Sequence, residues 1–273
     1  MGDQASKTEA LLKPREIKGV NIVGLQTLIG KEVGRFMNVY TQTIIAPMMT
    51  TLLFYAVFAL AFGGIARTIG DNIPYMAFIA PGLIMMTMVQ NAFANTSSSL
   101  VIAKVQGNIV DVLMPPLSAL ELFVGFVLGS IARGITVGLA VGIVIHLVVG
   151  LTLHSLFAVL AFAILGTMML GTIGLAAGVW SEKFDHIAAV TNFVVTPLTF
   201  LSGTFYSITQ LPPFWENLAH YNPFFYMIDG FRYGFIGYSD GSVMVGLVVM
   251  IVMNIALSIL TYSMIKAGYK IKS

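Results

Sequence analysis

Long runs of apolar residues, each bounded by turn-forming residues, dominate the chain from about residue 44 onward. Most of these runs are close to the roughly 20 residues that a helix needs to cross a hydrocarbon core of about 30 Å. The third run is longer than one crossing requires, which indicates a tilted or projecting helix. The pattern predicts an all-α membrane protein with six transmembrane helices, near Ile44–Phe62, Pro74–Phe93, Ala119–Val149, Leu156–Trp180, Ile187–Tyr206 and Val243–Ile265.

Composition supports insertion into a membrane. Of the 273 residues, 57% are hydrophobic and only 10% are charged, whereas soluble domains carry about a quarter of charged residues. A water-soluble fold is therefore excluded. The chain has no cysteine, so disulfides and thiolate metal sites are excluded as well.

The distribution of Lys and Arg predicts the orientation, because basic residues are retained on the cytoplasmic face. With the amino terminus inside, the inner segments carry eleven basic residues and the outer segments carry two, Arg67 and Arg232. This bias predicts that both termini are cytoplasmic. The eleven are Lys7, Lys13, Arg15, Lys18, Lys31, Arg35, Lys104, Lys183, Lys266, Lys270 and Lys272.

The amino-terminal region is polar and lacks the order of a cleavable signal peptide. We expect residues 1–19 to form a flexible cytoplasmic tail and residues 20–273 a single transmembrane domain. Residues 20–40 read as an amphipathic helix at the cytoplasmic interface or as the solvated base of the first crossing. Its apolar positions are Leu25, Leu28, Ile29, Val33, Phe36 and Tyr40, with Lys18, Lys31, Glu32 and Arg35 between them.

The inner connection between the second and third crossings, residues 95–118, has a helical rhythm of its own. The apolar positions Val101, Val105, Ile109, Val112 and Leu113 share one face, and Pro115 and Pro116 would end the helix. Such a helix is able to dock into a groove on another protein; the alternative is an ordinary polar loop. The residues expected to face outward are Lys104, Gln106, Asn108 and Asp111.

The outer connection before the last crossing, residues 201–237, is rich in aromatic residues and interrupted by prolines. This composition suits the headgroup boundary and predicts two short re-entrant or interfacial helices. Asp229 and Arg232 are three residues apart, so they would pair on one helical face. The pair reads as a structural clamp rather than as a substrate site, because an isolated charge at this depth is costly.

Arg133 falls near the middle of the third crossing, where an ionisable side chain indicates function. Three interpretations stay open: Arg133 lines a polar path, it pairs with a carboxylate such as Glu121 of the partner subunit, or it reaches a phosphate headgroup. Glycines at four-residue spacing, such as Gly125 with Gly129 and Gly174 with Gly178, predict close helix packing.

No catalytic motif accompanies these helices. The sequence contains no HExxH zinc pair and no GxSxG nucleophile turn. Residues 24–32, GLQTLIGKE, have five residues between the glycines and no Ser or Thr after Lys31, so they do not form a phosphate loop. The four histidines are scattered, which argues against a metal site. We expect a chain that is not an enzyme and holds neither cofactor nor metal.

Three segments together resemble one known family: PGLIMMTMVQNAFANTSSS, VLMPPLSALEL and PLTFLSGTFYSITQLPPFWENLAHYNPFFYMIDGFRYGFIG. They are similar to the ABC-2 type transport permeases, particularly the YadH-like branch. The resemblance covers nearly the whole chain after about residue 25. It implies the membrane subunit of an ABC exporter in the bacterial plasma (inner) membrane.

The resemblance also implies partners and residue roles. Two copies of the chain would form a homodimer with two soluble ABC ATPase subunits, which hold ATP and Mg²⁺, in contact with membrane lipids and without nucleic acid. The inner segment 101–116 would be the coupling helix, with Lys104, Gln106, Asn108 and Asp111 facing the ATPase. Candidates for the substrate path are Phe54, Tyr55, Met85 and Phe205, and candidate structural or gating charges are Glu121, Arg133, Asp229 and Arg232.

The residues alone leave two other function classes open. A proton- or sodium-coupled secondary transporter usually places paired carboxylates or broken helices near the midplane, where this chain has few acidic groups. A membrane enzyme acting on lipids would need a nucleophile or a metal cluster. A neighbouring coding region for a soluble ATPase would favour the exporter. Aromatic and aliphatic linings suit lipids, drugs, glycan-linked lipids and peptides alike.

Overall fold

The computed structural model describes residues 19–62, 68–69 and 73–270. Apart from Gly19, the predicted flexible tail of residues 1–19 lies outside the described residues, as do Arg67 and Lys272. Helix α1 spans Ile22–Met37 and begins at Asn21, whose side chain accepts a hydrogen bond from the Gly24 amide. This cap satisfies one of the free amides of the first turn.

The first membrane helix is preceded by a π-helical turn. Residues Thr41–Ile45 form this turn and lead directly into α2, Ala46–Phe62. Pro47 is the second residue of α2, and a proline cannot donate the hydrogen bond that a regular helix requires. The π turn therefore interrupts the helical ladder at the proline. A small antiparallel hairpin follows, with β1 at Thr68–Ile69 and β2 at Ile73–Pro74, a departure from the all-α prediction.

Three long helices form the centre of the molecule. Helix α3 spans Tyr75–Val105, and a short helix α4, Ile109–Leu113, follows it. Helix α5 spans Ala119–Val149, begins with a Ser118 and Glu121 capping box, and ends at Gly150 with φ +68°. Helix α6 spans Leu156–Trp180.

The carboxyl-terminal part contains shorter helices and one long one. Helix α7, Phe184–Val190, runs through a second π turn, Thr191–Val195, into α8, Thr196–Phe200. Here too a proline, Pro197, follows the turn. The remaining elements are a 3₁₀ turn at Ile208–Gln210, α9 at Pro213–His220, α10 at Pro223–Ile236 and α11 at Val243–Lys266.

Five helices in the described ranges are long and apolar enough to cross a membrane, rather than the six predicted. The bounds predicted for α5 and α6 are confirmed, whereas α3 continues twelve residues beyond the predicted end at Phe93. The predicted fifth crossing, Ile187–Tyr206, is divided into α7, the π turn and α8, and turns begin at Leu201. This predicted fifth crossing, and with it the total of six, therefore stays a prediction.

Helix α3 lies at the centre of the bundle and is largely buried between α5 and α6. Glycines make these approaches possible. A Cβ atom at Gly174 of α6 would lie 2.4 Å from the Phe93 carbonyl oxygen, and one at Gly138 of α5 would lie 2.4 Å from the Met88 sulfur. The predicted small-residue faces thus bring α5 and α6 against α3.

Gly125 and Gly129 pack against α1 rather than against another membrane helix. A Cβ at Gly125 would lie 2.5 Å from a Leu28 methyl group, and one at Gly129 would lie 2.6 Å from the Glu32 Cβ. Helix α1 therefore lies directly on the first turns of α5, which agrees with its predicted amphipathic character.

Candidate functional site

Glu32 of α1, one of the charged residues between the predicted apolar positions, is fully buried. Its carboxylate accepts hydrogen bonds from the Ser99 hydroxyl at 2.6 Å, from Arg35 Nη2 at 3.1 Å and from Asn95 Nδ2 at 3.3 Å. A buried carboxylate requires such partners, because its desolvation is costly. Glu32 thus joins α1 to the carboxyl-terminal half of α3.

Arg35 completes this connection. Its Nη2 atom donates to the Asn95 carbonyl at 2.6 Å and to Asn95 Oδ1 at 3.0 Å, and its Nη1 atom donates to the Ser98 hydroxyl at 3.1 Å. The sequence carried one signal for this network. Leu28, Glu32 and Phe36 are four residues apart and share one face, which meets the equally spaced glycines of α5.

Arg133 of α5 lies close to this network but has a neutral partner. Its Nη2 atom donates to Asn91 Oδ1 at 3.0 Å, and its buried Nε has no hydrogen-bond partner in the described part of the chain. The predicted pairing of Arg133 with Glu121 concerns the partner subunit and stays a prediction. The buried Glu121 carboxylate already accepts hydrogen bonds from the Ser118 amide at 2.6 Å and from the Asn21 amide.

A cavity of about 320 Å³ lies between α2 and α3, beside Asn91. Of the four predicted path residues, Phe54 lines this cavity. The hydroxyl groups of Thr51 and Thr87 meet across it at 2.7 Å. The lining residues are Gln42, Ala46, Pro47, Thr50, Thr51, Phe54, Leu83, Met86, Thr87, Gln90 and Asn91.

The other three predicted path residues do not line this cavity. Tyr55 is buried in the main core, and Met85 is 0% exposed against the α6 backbone near Gly166. The Phe205 ring stacks on Phe58, with ring centroids 4.8 Å apart. The four residues therefore do not form one surface, and their role in a path stays a prediction.

Lys104 does not face outward, which corrects its predicted orientation. Its ammonium group donates to the carbonyl oxygens of Gly178 at 3.0 Å, Ser181 at 3.0 Å and Val179 at 2.5 Å. These carbonyls lie at the carboxyl end of α6, where a cation is favourable. Lys104 belongs to α3 and fastens it to α6, and its coupling role stays a prediction.

The other predicted coupling residues, Gln106, Asn108 and Asp111, are exposed. Gly107, with φ +75°, turns the chain between α3 and α4. Helix α4 then presents Asp111 and Val110, and Val110 is 54% exposed; Met114 just after the helix is 75% exposed. A predicted helix is present here, but with five residues it is shorter than the predicted 101–116.

Asp229 and Arg232 form the predicted pair on α10, with Arg232 Nη1 3.6 Å from Asp229 Oδ1. Arg232 is 0% exposed, its guanidinium lies 3.7 Å above the Phe78 ring, and it donates to the carbonyls of Phe78 at 3.2 Å and Gly203 at 2.5 Å. It therefore connects α10 to α3 and to the turn after α8. No predicted feature pointed to these two carbonyl partners.

The Asp229 carboxylate organises the loop between α10 and α11. It accepts hydrogen bonds from the Ser239 hydroxyl at 2.6 Å and from the amides of Asp240 at 2.9 Å and Gly241 at 3.0 Å. Asp240 in turn accepts a hydrogen bond from the Ser207 hydroxyl at 2.5 Å. Sequence reasoning missed Asp240, whose partner is 33 residues away in the chain.

The predicted inner segments meet at one end of the molecule. Lys270 Nζ and Glu182 Oε1 form an ion pair at 2.9 Å, which joins the segment after α11 to the loop after α6. Their hydrogen bond lowers the pKa of Glu182 and raises the pKa of Lys270. The pair is exposed and contributes little stability, but its position agrees with a common side for both segments.

Within the described residues, no group of three His, Cys, Asp or Glu side chains is placed to hold a metal ion. A second cavity, of about 710 Å³, lies between α6, α9 and α11 and has an apolar lining. These features define the class of protein: a multi-pass helical membrane protein with buried polar networks and one exposed short helix at the end of its longest buried helix.

Comparison with known proteins identifies the family. The family model for the ABC-2 type transporter matches residues 23–236. The chain is 40% identical over 253 residues to the "Inner membrane transport permease YadH" of Escherichia coli (strain K12), which covers 92% of this chain and 98% of the relative. The chain therefore belongs to the ABC-2 type transporter family.

Two more distant relatives also match the chain. The chain is 23% identical over 192 residues to "Nodulation protein J" of Sinorhizobium fredii (strain NBRC 101917 / NGR234), covering 69% of this chain and 72% of the relative. It is 24% identical over 170 residues to the protein of the same name from Rhizobium leguminosarum bv. viciae, covering 61% and 65%.

The family membership confirms several predictions. The chain is a multi-pass inner-membrane protein, and members of its family are transport subunits rather than ATPases. The family also implies association with an ABC ATPase.

Proposed function

We propose that this chain is the membrane-spanning permease subunit of an ATP-driven exporter for amphipathic cargo. The observation that carries the proposal is the exposed helix α4, which offers apolar and acidic side chains at the end of α3. No phosphate loop occurs in the sequence, so ATP hydrolysis would require a separate ATPase. That ATPase would bind helix α4. ATP and Mg²⁺ would therefore be held by the partner.

The surroundings of α4 support a role in transmitting movement. On one side, Lys104 fastens the end of α3 to α6 through three hydrogen bonds. On the other side, the Asn21 amide nitrogen Nδ2 donates to the Pro116 carbonyl at 3.3 Å, which connects the segment to α1. A displacement of α4 by the ATPase would thus act on α3, α6 and α1 together, since packed helices move as rigid elements.

The proposal includes the wider assembly. The chain would have six crossings with both termini inside, which the charge distribution supports. Helices α9 and α10 would dip back from the outer face. Two copies of the chain would bind two ATPase subunits, a proposal that rests on the family. One chain of this size encloses little space, whereas two copies across a two-fold axis would frame a conduit. Aromatic side chains around α9 and α10 would lie at the headgroup level.

Asp111→Ala is expected to lower the ATPase activity that the permease stimulates, by about threefold to tenfold, because it removes an exposed charge from the docking helix. The measurement is ATP hydrolysis by the full complex in proteoliposomes. Lys104 is left intact in this test, since its replacement would also disturb the end of α6.

The matched control is Glu216→Ala, which removes one acidic side chain from α9 in the proposed outer region. It should leave stimulated hydrolysis unchanged. Equal activity of Asp111→Ala and the unmodified complex, with normal membrane insertion, would remove α4 from the coupling role.

The second candidate function is ion-coupled secondary transport. Interrupted helices at the two π turns would suit it. Among the five candidate crossings, however, Glu121 is the single acidic residue, and it caps the first turn of α5. The exporter is therefore favoured.

A further inference from the structure

One half-buried arginine, Arg133, carries a charge that no free carboxylate of the described residues balances. Arg133 is half-buried in α5, a candidate membrane crossing, and its partner is the neutral Asn91. Its Nε–H group is shielded from solvent and has no hydrogen-bond partner among the described residues. An uncompensated cation in a membrane helix is costly, so the site favours an anionic ligand.

The carboxylates near Arg133 are already engaged. Glu32 forms an ion pair with Arg35 and accepts further hydrogen bonds from Ser99 and Asn95. Glu121 lies twelve residues earlier on α5, about 18 Å along the helix, and accepts hydrogen bonds from the Ser118 amide at the start of α5 and from the Asn21 amide at the start of α1. The two arginines and Glu32 therefore leave a net charge of about +1 at this position.

The adjacent cavity has the polarity of an amphipathic molecule. At one end lie the amide side chains of Gln42, Gln90 and Asn91, and those of Gln42 and Gln90 have no hydrogen-bond partner within the described ranges. At the other end lie Phe54 and Leu83. Leu83 and Asn91 are eight residues apart on α3, which corresponds to about 12 Å along the helix.

Asn91 lines this cavity and binds the guanidinium group of Arg133, so Arg133 lies one hydrogen bond behind the cavity wall. Its Nδ2 atom donates to the Thr87 carbonyl at 3.0 Å, and its Oδ1 atom accepts from Arg133 Nη2. The amide orientation is thus fixed from both sides. A planar guanidinium presents several N–H donors and suits a phosphate group, which accepts two of them at once.

We propose that Arg133, with Asn91 as a positioning residue, binds the phosphate group of an amphipathic molecule whose apolar part extends along the cavity toward Phe54 and Leu83. The inference deepens the proposed function by giving the cargo an anionic phosphate head. A phospholipid of the surrounding bilayer has the same chemistry and is the second source.

The test measures binding of radiolabelled dodecyl phosphate to the full chain in neutral dodecyl maltoside micelles, by scintillation proximity. Unlabelled dodecyl phosphate should displace the probe, and dodecanol should not. Arg133→Gln should weaken binding by about tenfold to a hundredfold, the effect of losing a charged hydrogen-bond partner. Arg133→Lys keeps the charge without the planar donors and should give an intermediate affinity.

The matched control is Lys266→Gln, which removes one exposed positive charge at the end of α11. It should bind the probe like the unmodified chain. Size-exclusion elution of each variant reports folding. If Arg133→Gln does not fold, two measurements still test whether Arg133 binds the phosphate. One is the comparison of dodecyl phosphate with dodecanol, and the other is the affinity of Arg133→Lys.

Competition distinguishes the sources of the phosphate. Displacement by phosphatidylglycerol but not by a phosphate-free galactolipid indicates a resident lipid. Retention of the probe against phosphatidylglycerol, with stimulation of the ATPase by dodecyl phosphate in the complex, indicates cargo. Equal displacement by dodecanol, or unchanged affinity of folded Arg133→Gln, would overturn the proposal. Because the binding assay contains no nucleotide, its failure is separate from a failure of ATP-driven export.

Discussion

Arg232→Met is expected to lower the free energy of unfolding by about 3–5 kcal/mol, the effect of breaking a buried ion pair by removing one partner. Two carbonyl oxygens, those of Phe78 and Gly203, would lose their donor. The Asp229 carboxylate would keep its loop hydrogen bonds but lose the cation beside it. The measurement is the unfolding temperature of the detergent-solubilised chain by fluorescence-detected size exclusion.

Two further variants sharpen this test. Lys266→Met removes an exposed cation and should unfold at nearly the same temperature as the unmodified chain. Combining Arg232→Met with Asp229→Asn removes both charges and should recover part of the loss, because the two residues are coupled. If Arg232→Met unfolds at the temperature of Lys266→Met, the clamp assigned to α10 does not exist.

Gly174→Ala is expected to lower the free energy of unfolding by about 1–3 kcal/mol, because the new methyl group overpacks the contact between α6 and α3. Its Cβ would lie 2.4 Å from the backbone oxygen of Phe93 and 2.5 Å from Thr96 Oγ1. Backbone cannot give way as a flexible side chain does, so the two helices must separate. The same thermal assay measures the effect.

Gly30→Ala is the matched control, since no heavy atom lies within 4 Å of a Cβ at this position of α1. This change should be neutral or stabilise the chain by about 0.5–1 kcal/mol, because alanine favours helix more than glycine does. Gly178→Ala, whose closest contact would be 3.1 Å, should fall between the two. The opposite order would contradict the close approach of α6 to α3.

The long crossings were predictable because each is a single apolar run bounded by polar or turn residues. The bounds of α5 and α6 follow from Ser118, Gly150 and Ser155, which cap or end the helices. The division of the predicted fifth crossing was not visible in hydropathy, because a π turn is as apolar as the helices beside it. Pro197 indicated where the helix is interrupted, but not that the interruption is a π turn.

The buried polar contacts were hidden for a different reason. Glu32 contacts Asn95 and Ser99, and Lys104 contacts the end of α6, at separations of more than 60 residues. Helical periodicity describes one element at a time and assigns charged residues to water. The pair Asp229 and Arg232 was found because both residues lie on the same helix.

The two buried networks lie in opposite halves of α3 and fasten it to its neighbours. Near Asn95, Glu32 and Arg35 attach α1, and near Phe78, Arg232 attaches α10. In the proposed exporter, movement received at α4 would therefore pass through a helix that is connected in both halves.

The most direct measurement is outward movement of a fluorescent amphiphile in proteoliposomes that contain this chain with or without its ATPase partner. We expect movement with the partner and hydrolysable ATP, and none with a non-hydrolysable analogue or with the chain alone. Transport by the chain alone, driven by a proton or sodium gradient and independent of nucleotide, would contradict the account.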